Sequence, residues 1–255
     1  MKKIGIISNE TRDINYEYRN YIISSFPEID FLFPNEDKTN LEQFIEKCDI
    51  CIVLGGDGTI LNVAPLCAKY NTYIHGINLG SIGYLTDVSK EDGLQAIKKL
   101  ISSNFIKENR MMLECEKYIA LNDICIVKGN YAKMISLELF INDEYVDSYK
   151  ADGIIISTPT GSTAYNLGAG GPILEPLLDN IIITPIAPYR LLNRPIVLSA
   201  NSEIKVKASN SQLVVDGVNK LSSDEYIIKK SRSSVYILRT KSTNFYNIMK
   251  EKFSL

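Results

Sequence analysis

Histidine is nearly missing from this chain: His75 is the only one. That count argues against a multi-histidine metal site and against a catalytic triad alike. An excess of one charge is missing too. Lys and Arg number 28 against 30 Asp and Glu, a formal net charge of −2. No broad basic surface therefore offers itself to nucleic acid or to an anionic membrane. A polyanionic ligand would have to be met by local cations or by backbone N–H groups. No apolar run approaches the ~20 residues of a membrane span. The opening MKKIGIISNE breaks its short apolar run at Ser8-Asn9-Glu10, too early for a secretory h-region. The five cysteines, an odd count, argue against a complete disulfide framework, and a reduced, cytoplasmic setting fits them best. Each reads first as a small buried hydrophobe.

What is present is ordinary globular composition, 45% apolar and 23% charged over 255 residues, enough for two domains. In the first hundred residues short apolar runs alternate with helical spacing. Strands are predicted at Lys3–Ser8, Asp30–Phe33, Asp49–Leu54 and Tyr73–Asn78. Helices are predicted at Asn15–Ser24, Leu41–Cys48, Ile60–Lys69 and Gly93–Ile101. Such alternation implies βαβ units and a mostly parallel sheet. Beyond about residue 105, β-branched and aromatic runs separated by turn signals predict nine short strands between Lys117 and Arg239, two of them Glu225–Lys229 and Val235–Arg239. The fold class is thus an α/β N-terminal domain, residues 1–104, followed by an all-β, sandwich-like domain over 105–255. The final stretch, Asn244–Lys252, has weak helical character and could pack back on the first domain.

Two clusters carry chemistry. Gly55-Gly56-Asp57-Gly58-Thr59 follows a buried strand and precedes a helix, the place where open α/β sheets bind ligands. Glycines there let the backbone approach a phosphate, and helix N–H groups point at the anion. Asp57 could accept a proton from a substrate hydroxyl or help hold a divalent cation. The bland alternative is a tight turn in which Asp57 caps the next helix. The motif is neither a Rossmann fingerprint nor a Walker loop. The second cluster runs from Lys150-Ala151-Asp152-Gly153 through the loop Thr158–Pro172, where hydroxyls and N–H groups converge beside the Tyr165 ring. Ser162 or Thr163 is placed to cap a following helix. This composition suits a ribose, a phosphate and a planar base together, although Tyr165 alone could equally be core. Asn122-Asp123, between two strand-like runs, reads on its own as a turn.

Together these segments resemble the NAD kinase family: the GGDGT turn at Gly55–Thr59, the Asn122-Asp123 pair, and the loop Asp152–Tyr165 of the form DG-x-(apolar)-STPTGSTAY. Gly80–Asp87 and Thr184–Pro195 are similar to two further family segments. The resemblance implies an active site in the cleft between the two domains. It implies that Asp57 is the general base on the adenosine 2′-hydroxyl of NAD, with Gly58 near the same ribose. Gly55, Gly56, Gly58 and Thr59 would form a phosphate-binding turn. Asn122, Asp123, Lys133, Lys150 and Asp152 would contact NAD. Thr163, Ala164, Tyr165, Asn166, Leu167 and Gly168 would line the adenine and ribose pocket, with Tyr84 and Ala187 as further candidates. The resemblance further implies ATP or polyphosphate as donor, Mg²⁺ or another divalent cation accompanying it, no metal ligands from the protein itself, and a homotetramer or homodimer. Three positions depart from the family pattern: Tyr84 in place of phenylalanine, Tyr189 in place of histidine, and Val218 in place of glutamine. A lipid kinase shares the GGDGT turn but not the TPTGSTAY loop. A non-catalytic dinucleotide sensor would have no use for a base at Asp57.

Overall fold

The isoleucine- and valine-rich runs near the N-terminus form strands buried on both faces, as parallel strands under helices must be. The computed structural model describes residues 2–35, 39–80, 83–130, 133–190, 194–220, 223–241 and 245–253. Residues 81–82 of the Gly80–Asp87 segment, 191–193 of Thr184–Pro195 and Asn244 of the C-terminal helix lie outside them. The chain divides into two compact units, Met1–Asn109 with Val235–Leu255, and Arg110–Ser234.

In the first unit Ile4–Ser8, Ile50–Gly55 and Tyr73–Asn78 pair in parallel. The end of the long strand Glu225–Arg239 adds to them through Ile237, which pairs with Ile74. The helix Asp57–Tyr70 buries Ile60, Val63, Ala64, Cys67 and Ala68, the i, i+3, i+4, i+7, i+8 stripe of an amphipathic helix. It stops at Asn71, whose left-handed backbone returns its N–H to the Cys67 carbonyl. The expected strand Asp30–Phe33 is reduced to one bridge, Gly5 to Leu32. Pro27 and Pro34 flank it and limit any ladder there. His75 is fully buried, with its Nδ1 3.1 Å from the Leu238 carbonyl oxygen, and burial lowers its pKa. Cys48 and Cys51 have Cys-x-x-Cys spacing yet do not act as a pair. The Cys48 thiol donates to the Phe44 carbonyl at 3.2 Å, Cys51 faces Cys67, and all described cysteines are free and buried.

The second unit is built from antiparallel strands. One sheet has the order Ile196–Ser199, Asn180–Ile186, Gly153–Ser157, Asp123–Lys128, Ser211–Val215, Val218–Asn219. The other joins the start of Glu225–Arg239 to Ile204–Lys207, Ile135–Ile141 and Glu144–Ala151. Leu137, Leu139 and Val206 of the latter share one core with Ile124, Ile154 and Leu213 of the former, the arrangement of a sandwich. Alternating burial along Ile135–Ile141 and Ser211–Val215 is the sequence signature of such strands. Among the described residues no helix is long and apolar enough to cross a membrane.

Candidate active site

In the first unit the glycine-rich turn closes the strand Ile50–Gly55 and opens the helix at Asp57, three residues earlier than the sequence predicts. Gly55 is required by crowding: a Cβ there would fall 2.5 Å from Thr59 Oγ1, which accepts a hydrogen bond from Asn9 Nδ2 at 3.1 Å. Gly58 is exposed, and a Cβ would meet nothing, so the backbone is open to an approaching group. Asp57 does not cap its helix. Gly56 occupies the cap position without a side-chain bond, and the Asp57 carboxylate turns to another loop. Its Oδ2 accepts the Tyr84 N–H at 2.8 Å; its Oδ1 accepts those of Leu85 at 3.0 Å and Thr86 at 3.3 Å. A carboxylate has about four lone-pair sites, so roughly one is left for a further partner. Gly83 makes this approach feasible, since a Cβ there would lie 1.9 Å from Asp57 Oδ1. The Tyr84 ring packs on Phe245 at 5.8 Å; burial raises its hydroxyl pKa, and the Asp57 charge adds to the rise.

In the second unit a second aspartate repeats the device. Asp216 and Gly217, both with positive φ, form the two-residue turn that pairs Val215 with Val218. From this turn the Asp216 carboxylate accepts the N–H groups of Leu121 at 2.7 Å, Asn122 at 2.8 Å and Asp123 at 3.0 Å. Asn122, partly exposed, is thereby held just before the strand Asp123–Lys128, and its side-chain amide makes no hydrogen bond among the described residues. Asp123 is buried, and that burial pushes its pKa up to about 6, aided by the charge of Asp216 and opposed by a bond from the Cys125 thiol. Asp152 pairs with Lys128 at 2.7 Å, a partner the sequence reading missed. Tyr165 is 49% exposed, so it is not core. Its hydroxyl pKa is raised by burial and then by the charges of Cys125, Asp152 and Asp123.

Asn166 behaves differently from its neighbours. It is fully buried, its Nδ2 donates to the Ser162 and Pro172 carbonyls, and its Oδ1 accepts from Thr184 Oγ1 at 2.6 Å. Its amide therefore braces the loop rather than facing a ligand. The expected helix cap by Ser162 or Thr163 is absent: Ser162 Oγ donates to the Pro159 carbonyl at 2.7 Å, and Ala164 holds the cap position without a side-chain bond. Lys150 is exposed, while Ala187 sits exposed in a left-handed conformation just after Asn180–Ile186. Lys133 borders a cavity of about 970 Å³ together with Lys207, Asn210 and Asp224.

Residues 4–105 match the model of the ATP-NAD kinase N-terminal domain, and residues 121–240 match that of the C-terminal domain. The chain belongs to the NAD kinase family. It is 39% identical to the NAD kinase of Thermoanaerobacter sp. (strain X514), over 100% of this chain and 99% of that one. It is 36% identical to that of Caldanaerobacter subterraneus subsp. tengcongensis, with the same coverage of both chains. Among solved structures it is similar to yeast NADH kinase complexed with NADH (TM-score 0.86, 28% identity, 100% of this chain and 87% of that one). It is similar also to an Archaeoglobus fulgidus NAD kinase in complex with ATP (TM-score 0.85, 30% identity, 99% of each). An NAD kinase must manage the charge of phosphates, and one cation stands near the glycine-rich turn. Arg12 Nη1 lies 3.4 Å from where a Cβ of Gly56 would be and 2.6 Å from that of Gly80. Nothing in the local pattern of Asn9-Glu10-Thr11-Arg12 advertises this. Tyr189, in place of the family's usual histidine, is 73% exposed, with its N–H bonded to the Lys150 carbonyl.

Proposed function

We propose that this NAD kinase transfers a phosphoryl group from ATP or polyphosphate to the 2′-hydroxyl of the adenosine ribose of NAD. The observation that carries the reading is the Asp57 carboxylate, fixed by three N–H groups at the carboxyl end of a strand inside the glycine-rich turn. In the proposed step the 2′-oxygen attacks the terminal phosphorus and the bond to the bridging oxygen breaks. The hydroxyl proton passes to Asp57. Such a base contributes about 10²–10⁴-fold, while positioning and charge stabilisation supply most of the rest. Gly58, open to solvent, lets the ribose approach, and Arg12, beside Gly56 and Gly80, is a cation within reach of donor phosphates at the helix N-terminus.

Among the described residues no cluster of three or more His, Cys, Asp or Glu could cage a metal. A divalent cation such as Mg²⁺ would arrive on the donor's phosphates and keep most of its water, with Asp57 as the nearby carboxylate. The cation would supply neutralisation of developing charge. A coupled assay of NADP formation, run with ATP and with polyphosphate, with and without Mg²⁺, tests donor and metal together. Failure to form NADP with either donor would overturn the reading.

Adenosine recognition falls to the Asn122 amide, the Asp123 carboxylate and the Tyr165 ring, with Asp152 held by Lys128. Losing one polar partner to a ribose costs about 1–3 kcal/mol, so Asn122→Ala should raise the KM for NAD by roughly 5- to 150-fold and leave the melting temperature nearly unchanged. Unaltered NAD kinetics would remove Asn122 from the site. Asp123 adds a pH dependence. Its folded pKa of about 6 lies above the unfolded value, so the native state binds more protons between about pH 4 and 6. Burying the charge therefore costs stability above that window, and stability attributable to Asp123 rises as pH falls through it. The full excursion is ~3 kcal/mol. Denaturant melts should show a steeper slope across this window in wild type than in Asp123→Asn, where the buried Asp216, its pKa also raised, still contributes. Assembly as a homotetramer or homodimer in the cytoplasm completes the proposal. Light scattering that finds an active monomer at working concentration would contradict the assembly.

A further inference from the structure

We propose that Arg239 is a positioning residue for the phosphoryl transfer: through the backbone of Tyr84, Leu85 and Thr86 it holds the Asp57 carboxylate in its working orientation. The inference rests on the reading of Asp57 as the proton acceptor. The three residues whose N–H groups point at Asp57 are the same three whose carbonyls receive the Arg239 guanidinium. Nη2 donates to the Tyr84 oxygen at 2.9 Å, and Nη1 donates to those of Leu85 at 3.3 Å and Thr86 at 2.7 Å. Two peptide groups consequently bridge the charges. The one joining Tyr84 to Leu85 accepts from Arg239 at its oxygen and donates to Asp57 Oδ1 at 3.0 Å; the next, joining Leu85 to Thr86, does the same at 3.3 Å. Each peptide dipole, of about 3.5 D, lies with its oxygen toward the cation and its N–H toward the anion. Hydrogen bonds in such series strengthen one another.

The guanidinium is itself fixed. It is 7% exposed, and its Nε donates to Glu108 Oε2 at 2.9 Å. The following residue, Thr240, bonds Asp87 Oδ2 through its N–H at 2.7 Å and its hydroxyl at 2.6 Å, pinning the far end of the same loop. Arg239 reaches no part of the glycine-rich turn directly. Its influence on Asp57 runs through the loop, and a planar fork that serves three carbonyls has no equivalent in lysine.

The test compares Arg239→Met, Arg239→Lys, Asp57→Asn and the Arg239→Met/Asp57→Asn double variant, each checked for folding by circular dichroism. A misplaced base costs turnover, so Arg239→Met should lower kcat for NADP formation by about 10- to 100-fold. The KM for NAD should move by less than about 3-fold, because the acceptor contacts are untouched. Arg239→Lys should recover part of the loss. In the Asp57→Asn background, Arg239→Met should cost less than about 3-fold more, since there is no base left to misplace. A guanidinium that merely stabilises the fold would lower the melting temperature and leave kcat of the folded protein unchanged. That result in Arg239→Met, or in Arg239→Lys should the former not fold, overturns the proposal. An equal loss in both backgrounds overturns it too. Wild-type turnover in Asp57→Asn would instead sink the reading of Asp57 itself.

Discussion

Asp57→Asn should form NADP at least about 100-fold more slowly than wild type, while calorimetry finds NAD bound with near-normal affinity. Asparagine keeps the shape and takes no proton. The geometry adds a second consequence. Asp57 accepts N–H groups on both oxygens, Tyr84 on one and Leu85 with Thr86 on the other. An amide can turn its oxygen to only one side, and its NH₂ then faces an N–H donor. The loss of one such bond is about 1–3 kcal/mol, toward the lower end because Asp57 is partly exposed. Asp57→Asn should therefore melt earlier than wild type as well as turn over slowly. A variant with lowered stability but intact turnover would make Asp57 an anchor for the 84–86 loop and nothing more.

Asp216→Ala should be the most destabilising of the single changes considered. Truncation strands three part-buried N–H groups, those of Leu121, Asn122 and Asp123, and removes charge-assisted bonds of 2.7–3.0 Å. At 1–3 kcal/mol for each unpaired donor, less what water recovers, the loss is about 3–5 kcal/mol. It also frees the segment that presents Asn122, so NAD affinity should fall along with stability. Urea melts beside NAD titrations separate the two. An Asp216→Ala protein with wild-type stability would mean that the turn at Asp216-Gly217 is only a turn.

Much of the architecture was legible because burial is written locally. Ile50–Gly55, Tyr73–Asn78 and Gly153–Ser157 are apolar runs buried along their length, and the helices Asp57–Tyr70 and Gly93–Ile101 carry clear stripes. Elements with one wet face were harder to read. Ile106–Cys115 begins with the polar run Lys107–Arg110, and Glu144–Ala151 is mostly exposed, so neither stands out as a strand. Asn180–Ile186 is apolar yet not among the expected strands; only its end, from Thr184, overlaps the family-like segment Thr184–Pro195. Glu225–Arg239 is one strand of 15 residues rather than two, because its polar middle, Lys229 to Ser234, stays extended instead of turning.

The glycine-rich turn, Asn122-Asp123 and the loop after Asp152 were visible as motifs, but the bonds that orient them were not. Asp57 meets residues 27 to 29 positions away, Asp216 meets residues 93 to 95 away, and Arg239 reaches back 153 to 155. Periodicity has no access to such pairings. Asp216-Gly217 is a hairpin signal in its own right, yet the carboxylate's role across the sheet end could not be inferred from it. Asn166 illustrates the converse: it falls within a ligand-like motif, and packing commits its amide to the loop.

The central claim is that the acceptor is the adenosine 2′-hydroxyl of NAD. Phosphorus NMR of a reaction containing the protein, NAD, ATP and Mg²⁺ reads this directly. The account predicts a new phosphomonoester resonance, coupled to the ribose 2′ proton, growing as ATP is converted to ADP. Consumption of ATP with only inorganic phosphate appearing, or a monoester at any other position, would contradict it.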